Sequence, residues 1–419
     1  MITTEYPPET MIPTTPTLET EAIEVISGLR SAFAGVLSGL PIPCRKAADV
    51  ARVLGISRKL GWQIWKVATS PDPFTAAQHL PSPAGVTSFL QAAATLGASA
   101  HTVIAAEVAA KRVDGLVKIH AGDRSSLELM IDSFAGERHE TQEEVHRRNA
   151  FKANSYIFGS QLRTRLVLHV LKPGSEPGRV DVAIVNGLFG LRRLRTDARR
   201  LLFSTGVRDA LGAEGKGPKR EGLAGPRGGA SQGPPRMELM PDFCSQPLPK
   251  LESSTTRDGY IDFELSQWPI GQTGAVTMVS GEAFWNFASR FARPGDVHGN
   301  LVAHINRPTE LLVHDVLVHR DLWKSVKPRG LVYGELDRVT RVQTARRDDD
   351  LLPARLSVDA LGSGIATAAS ADVPLYGELL QAVFDRLAWN DEEFAVFRLR
   401  LAYPILPTAV VMQFDLPEG

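Results

Sequence analysis

Cysteine is almost missing from this chain. Its 419 residues hold two, Cys44 and Cys244, and no CxxC pair occurs. A disulfide framework and a cysteine-rich zinc module are thereby excluded, and the usage suits a reducing compartment. Net charge is missing too, with 47 basic residues against 47 acidic ones. Long apolar runs are also lacking. Residues 73–106 contain no Asp, Glu, Lys or Arg, but their three prolines and their His, Gln, Ser and Thr are too polar for a membrane span of about 20 residues. The first residues, MITTEYPPETMIPTTP, have neither the basic nor the apolar region of a secretory leader. The expectation is a cytoplasmic protein with no membrane contact.

Catalytic signatures are equally scarce. No GxxxxGK[ST] phosphate loop occurs, Leu361–Thr367 (LGSGIAT) has a GxG without a third glycine, and Gly362–Gly364 is not part of a GxSxG elbow. His314 and His319, with Asp315 and Asp321, sit in LLVHDVLVHRD. On a strand these two histidines point to opposite sides, so the expectation is a strand with outward polar positions and no metal. His139, Glu140, Glu143, Glu144 and His146 read as a charged surface helix with i,i+4 pairs. The two cysteines read as small packing residues. Neither a catalytic residue nor a cofactor is assigned, and the chain is expected not to be an enzyme.

What is present is ordinary globular material, 43% hydrophobic and 22% charged. The zero net charge hides three blocks: 14 basic against 16 acidic residues in 1–150, 16 against 6 in 151–236, and 17 against 25 in 237–419. Within the basic block, LRRLRTDARR carries Arg192, Arg193, Arg195, Arg199 and Arg200. This run is either an internally paired surface or a phosphate-contacting patch, since arginine forks match phosphate oxygens.

Periodicity divides the chain. Residues 1–17 are Thr/Pro/Glu-rich and read as a mobile tail. From Ala22 to Leu37 apolar residues recur at helical spacing, and further helices are expected to about Thr69, at 84–96, at 99–120 and from Asp123. Residues 18–150 therefore form an all-α domain. After Phe151 the pattern is read as strands: 156–171, 180–194, 260–265, 274–279, 309–318, 331–336, 341–344, 395–403 and 408–414, with one helix at 375–387. Residues 213–236, rich in Gly and Pro, are expected to be a disordered loop. Residues 151–419 are thus an α+β domain, β-rich and mostly antiparallel.

Residues 47–68, AADVARVLGISRKLGWQIWKVA, carry the functional signal. Ala51 is small enough to let two helices cross. Gly55 can take the left-handed conformation that ends a helix, Ile56 can plug the angle, and Ser57 can cap the next helix. This pattern resembles the helix-turn-helix of bacterial transcription regulators. The resemblance implies that the second helix enters the major groove of double-stranded DNA and that two copies read two half-sites. Ser57, Arg58, Lys59, Gln63 and Lys66 then become the DNA-contacting residues, with Arg58 suited to guanine, Gln63 to adenine and the lysines to phosphate. Gly61 departs from the pattern and costs helix propensity. Trp62 and Trp65 are expected to pack on the helices after residue 84. The β-rich domain is expected to dimerise, to sense a small-molecule effector or to contact proteins. The alternative is a structural or interaction protein whose β-rich domain is the working surface.

Overall fold

The computed structural model describes residues 17–132, 139–198, 201–206, 219–224, 238–256, 260–266, 268–295, 297–322, 326–334, 350–354 and 356–419. The chain separates into two compact units, Met1–Gln142 and Glu143–Gly419. Among the described residues, no helix is long and apolar enough to cross a membrane.

The first unit is helical: α1 (Leu18–Ser38), α2 (Ala47–Leu54), α3 (Arg58–Thr69), α4 (Pro73–Ala77), α5 (Pro83–Thr95), α6 (Ala100–Leu116) with a π-helical turn at Val117–Ala121, and α7 (Arg124–Asp132). All of these starts but that of α2, whose flanking Lys46 makes no side-chain cap, share one cause. Thr17, Ser57, Asp72, Ser82 and Ser99 each accept a hydrogen bond from the amide three residues on, satisfying a donor that the first helical turn leaves orphaned. Thr17, assigned to the mobile tail from sequence, is thus the cap of α1, while residues 1–16 lie outside the described residues. The apolar stripe of α1 from Ala22 to Leu37 is buried as its spacing predicts. It packs with Val50, Leu54, Ile64, Val67, Phe89 and Leu116 into one core. Between the helices expected to end near Thr69 and to begin at 84, the chain forms the short α4.

The second unit opens with the rest of α8 (His139–Phe158). The domain boundary expected at 150/151 is corrected by this helix, which runs on to Phe158. Tyr156, Ile157 and Phe158 look β-prone by composition, but the left-handed Gly159 (φ 65°) is what ends the helix. The strands are β1 (Ser160–Pro173), β2 (Arg179–Arg193), β3 (Leu201–Gly206), β4 (Lys219–Gly222), β5 (Leu251–Thr255), β6 (Tyr260–Leu265), β7 (Val276–Ser289), β8 (His298–Ile305), β9 (Thr309–His319), β10 (Arg329–Gly334), β11 (Asp359–Ser363), β12 (Phe394–Ala402) and β13 (Thr408–Asp415), with helix α9 (Tyr376–Leu387) before β12.

One sheet has the order β11-β12-β9-β1-β2-β7-β4, a second β10-β13-β8, and a third β3-β6-β5. Of the ladders between these strands, β1–β9 is parallel and the others are antiparallel. Side-chain alternation gives the seven-stranded sheet two buried faces. Leu166, Leu168, Val170, Val313 and Leu317 face Leu379, Leu380, Val383 and Phe384 of α9. Val167, Leu171, Leu312 and Val316 face Ala303, Ile305, Val410 and Met412 of the second sheet.

The disordered loop expected at 213–236 also needs correction. Lys219–Gly222 is a strand paired with β7, Leu223 is buried, and Arg386 holds Glu221 at 2.5 Å. Residues 213–218 and 225–236 lie outside the described residues, as do the strand expected at 341–344 and the end of the one expected at 331–336. Strands β5 and β11 gave no sequence signal because they are mostly exposed; the ladder holds them in place without an apolar face. Strand β8, which holds His298 and His304, is not among the strands expected from sequence.

Candidate nucleic-acid interface

Helices α2 and α3 meet across Gly55–Ile56–Ser57. Gly55 has φ 64°, and the Ile56 amide closes back onto the Ala51 carbonyl at 3.1 Å. Ser57 accepts from the Leu60 amide at 3.2 Å. Val50, Ala51 and Leu54 of α2 and Gly61, Ile64 and Val67 of α3 are buried. The helices cross so closely that a Cβ on Gly61 would lie 2.7 Å from the Ala51 nitrogen and 2.8 Å from its Cβ. Gly61, a weakness by local propensity, is therefore required by the crossing. At the far end of α3, an Arg30 Nη donates to the Ser70 carbonyl and ties the helix to α1.

Opposite that buried side, Ser57, Arg58, Lys59, Trp62 and Lys66 are exposed. The side chains of Arg45, Lys46, Arg58, Lys59 and Lys66 make no ion pair among the described residues, whereas Arg52 is held by Asp49 at 3.1 Å. These five match the surplus of six basic residues over one acid in 41–70. Gln63 does not join the exposed set; it is half-buried, with its amide donating to the Leu80 carbonyl at 3.5 Å. Trp62 takes its place. Expected to pack inward, it is instead 43% exposed, and its ring meets His79 edge-on at 4.8 Å. Burial, reinforced by Lys66, holds His79 below its ordinary pKa, so the ring under Trp62 is neutral near pH 7. Trp65, as expected, packs against the core. Helical spacing places Trp62 beside Arg58 and Lys66, off the buried stripe; the contact with His79, which arrives from the turn after α4, is what the sequence could not show.

The second basic candidate looks different. Arg192 donates to Gln272 at 2.9 Å and pairs with Glu310 at 3.4 Å. Arg193 donates to the carbonyls of Trp268, Arg195 and Thr196. Arg195 grips Asp197 at 2.6 and 2.9 Å. The internal-pairing alternative accounts for these three, and Arg199 and Arg200 lie outside the described residues.

The histidines diverge as the strand pattern predicts, but not outward. His314 is fully buried with its Nε2 3.2 Å from Nδ1 of His169, while His319 contacts Glu393 through Nε2 at 3.1 Å. Burial, with Arg165 nearby, pushes His169 down to about 4; burial, then His169 and Arg165, holds His314 well below its usual value. The reading of outward polar positions is thus corrected. On the other face of β9, Asp315 accepts both from Arg398 (2.8 and 2.7 Å) and from the Tyr376 hydroxyl at 2.6 Å, which clamps α9 to the sheet. Among the described residues no group of three or more His, Cys, Asp or Glu is placed to hold a metal ion.

No protein-family model matches the chain, and no curated protein matches it either.

Proposed function

We propose that the α2–α3 pair is a helix-turn-helix and that the protein is a sequence-specific, DNA-binding transcription regulator of the cytoplasm. The observation that carries the reading is the exposed side of α3, where Arg58, Lys59 and Lys66 are free of counter-ions among the described residues and flank an exposed Trp62. Cations without internal partners are those that can release counter-ions from a phosphate backbone. Arg58, at the start of α3, is suited to fork onto a guanine edge, and the Trp62 ring offers apolar contact to a thymine methyl group. Gln63 contributes less, since its amide has a partner within the chain. One such helix reads few base pairs, so the active form is a homodimer on half-sites about 34 Å apart.

The test is the paired reversal Lys59→Glu with Lys66→Glu, titrated against duplex selected from a random library. Affinity is expected to fall at every sequence, and the slope of log affinity against log salt is expected to flatten by roughly two, about one for each lost phosphate contact. Unchanged affinity in a variant with wild-type circular dichroism would remove the reading and leave the β-rich unit as the working surface.

A further inference from the structure

Val167 stands on β1, the central strand of the seven-stranded sheet, on the face packed against the second sheet. It is only 2% exposed. Its nearest neighbours on that face follow from the register. Along β1 they are Arg165 and His169, two residues to either side. Across the ladders they are Asn186 of β2 and His314 of β9, each paired directly with Val167. All four are polar. They ring one valine in a layer that is otherwise aliphatic, with Ala303, Ile305, Val410 and Met412 opposite.

The bonds within this ring leave donors over. Arg165 donates to Oδ1 of Asn186 at 2.7 Å and reaches the Leu166 and Gly187 carbonyls only at 3.4 Å. It makes no ion pair among the described residues. Burial, reinforced by the nearby Arg307, pushes Arg165 down to about 10. Neither Nε of Arg165 nor Nδ2 of Asn186 has a hydrogen-bond partner among the described residues. His169 and His314 share one proton between them, and Nδ1 of the fully buried His314 has no partner. When Nδ1 of His169 is the donor of that pair, Nδ1 of His314 carries a proton as well. Polar groups so enclosed normally find partners, and a guanidinium taken out of water calls for a counter-charge. We propose that the ring around Val167 binds one small, singly charged anion, a halide or a short carboxylate, held by the Arg165 guanidinium and the Asn186 amide nitrogen. The groups left over are donors, which selects an anion over a cation. One guanidinium without an acid suits a single charge, and the aliphatic cover opposite disfavours a strongly hydrated phosphate dianion. The site lies in the second unit and does not depend on the duplex reading.

The experiment is scanning calorimetry of the full chain at fixed ionic strength, with bulky sodium gluconate replaced stepwise by chloride, by formate or by phosphate. The wild type, Arg165→Met and Asn186→Asp are compared. A ligand that binds only the folded state raises the melting temperature with its concentration, so the wild type is expected to gain about 3 °C for each tenfold of chloride or formate above the dissociation constant. Which of the two acts more strongly tells halide from carboxylate. Arg165→Met removes the charge and is expected to lose the response. Asn186→Asp supplies the missing acid from within the chain, so it should melt higher than the wild type in gluconate and also lose the response. Because this variant gains an ion pair, its readout stands even if Arg165→Met folds poorly. A wild type insensitive to both anions overturns the proposal. So does an equal response in all three proteins, which would be a general salt effect, or a larger response to phosphate. No nucleic acid enters the assay, so its outcome is independent of the duplex titration.

Discussion

A methyl group at position 61 has nowhere to go. The three nearest atoms to a Cβ there all belong to Ala51, at 2.7 to 2.9 Å, and two of them are backbone. Gly61→Ala is therefore expected to lower stability by about 1–3 kcal/mol, the usual cost of overpacking, although alanine gains about 1 kcal/mol in helix propensity. Thermal unfolding of the single variant checks this, and a stabilised variant would mean that the two helices can separate at no cost. The residue was legible in the sequence only as an oddity. Propensity is a local property, while the demand for glycine comes from a backbone ten residues away. The same limit explains Trp62 and Gln63, whose exchange of roles depends on His79 and the Leu80 carbonyl, groups outside α3.

At the scale of elements, β1 and β9 show what pairing adds to pattern. Each strand was visible from its β-branched content, but their parallel alignment is what brings His169 and His314 within 3.2 Å. Both rings stay neutral in the folded chain, while unfolded histidines take up protons below about 6.5. The sign follows: this contribution to stability is complete above pH 6.5 and is lost as pH falls towards 4. For His169, held at about 4, the loss amounts to about 3 kcal/mol over that window. Urea unfolding at pH 7.0 and 4.5 should show this loss, and the double variant His169→Leu, His314→Leu should show a shallower dependence. An equal pH slope in both proteins would rule out the pair as its source. Charge reading at this scale was half successful, since the i,i+4 pairs Glu143–Arg147 and Glu144–Arg148 form as spaced. The basic run after Leu191 could not be resolved from sequence, because its partners Gln272, Trp268 and Glu310 lie far along the chain.

For the whole molecule, the two units differ in the kind of information that builds them. The helical unit is made of local signals: the apolar stripe of α1, the Ser57 cap and the Gly55 turn match what their spacing predicts. The β-rich unit is built from pairings across long separations, such as Phe151 against Tyr403 at 5.4 Å and Arg147 donating to the Ala402 carbonyl at 3.1 Å. A fragment starting at residue 151 loses the Arg147 and Arg148 contacts. It is expected to melt lower than one starting at 143, and duplex binding is expected to remain with residues 1–142. Differential scanning calorimetry of the two fragments reads the first expectation and a duplex titration the second; equal melting points would show that the first turns of α8 add nothing.

The sequence alone determined the all-α then β-rich order, most helix starts and the character of the α2–α3 turn, because each depends on residues within one or two turns of one another. Only the tertiary structure decided that α8 continues past Phe151, that His314 meets His169 and that Arg193 is occupied. It also decided that Asn186, Val167 and His314 share one row. Those outcomes depend on register and on which surfaces meet, and side-chain spacing along a single strand carries no record of either.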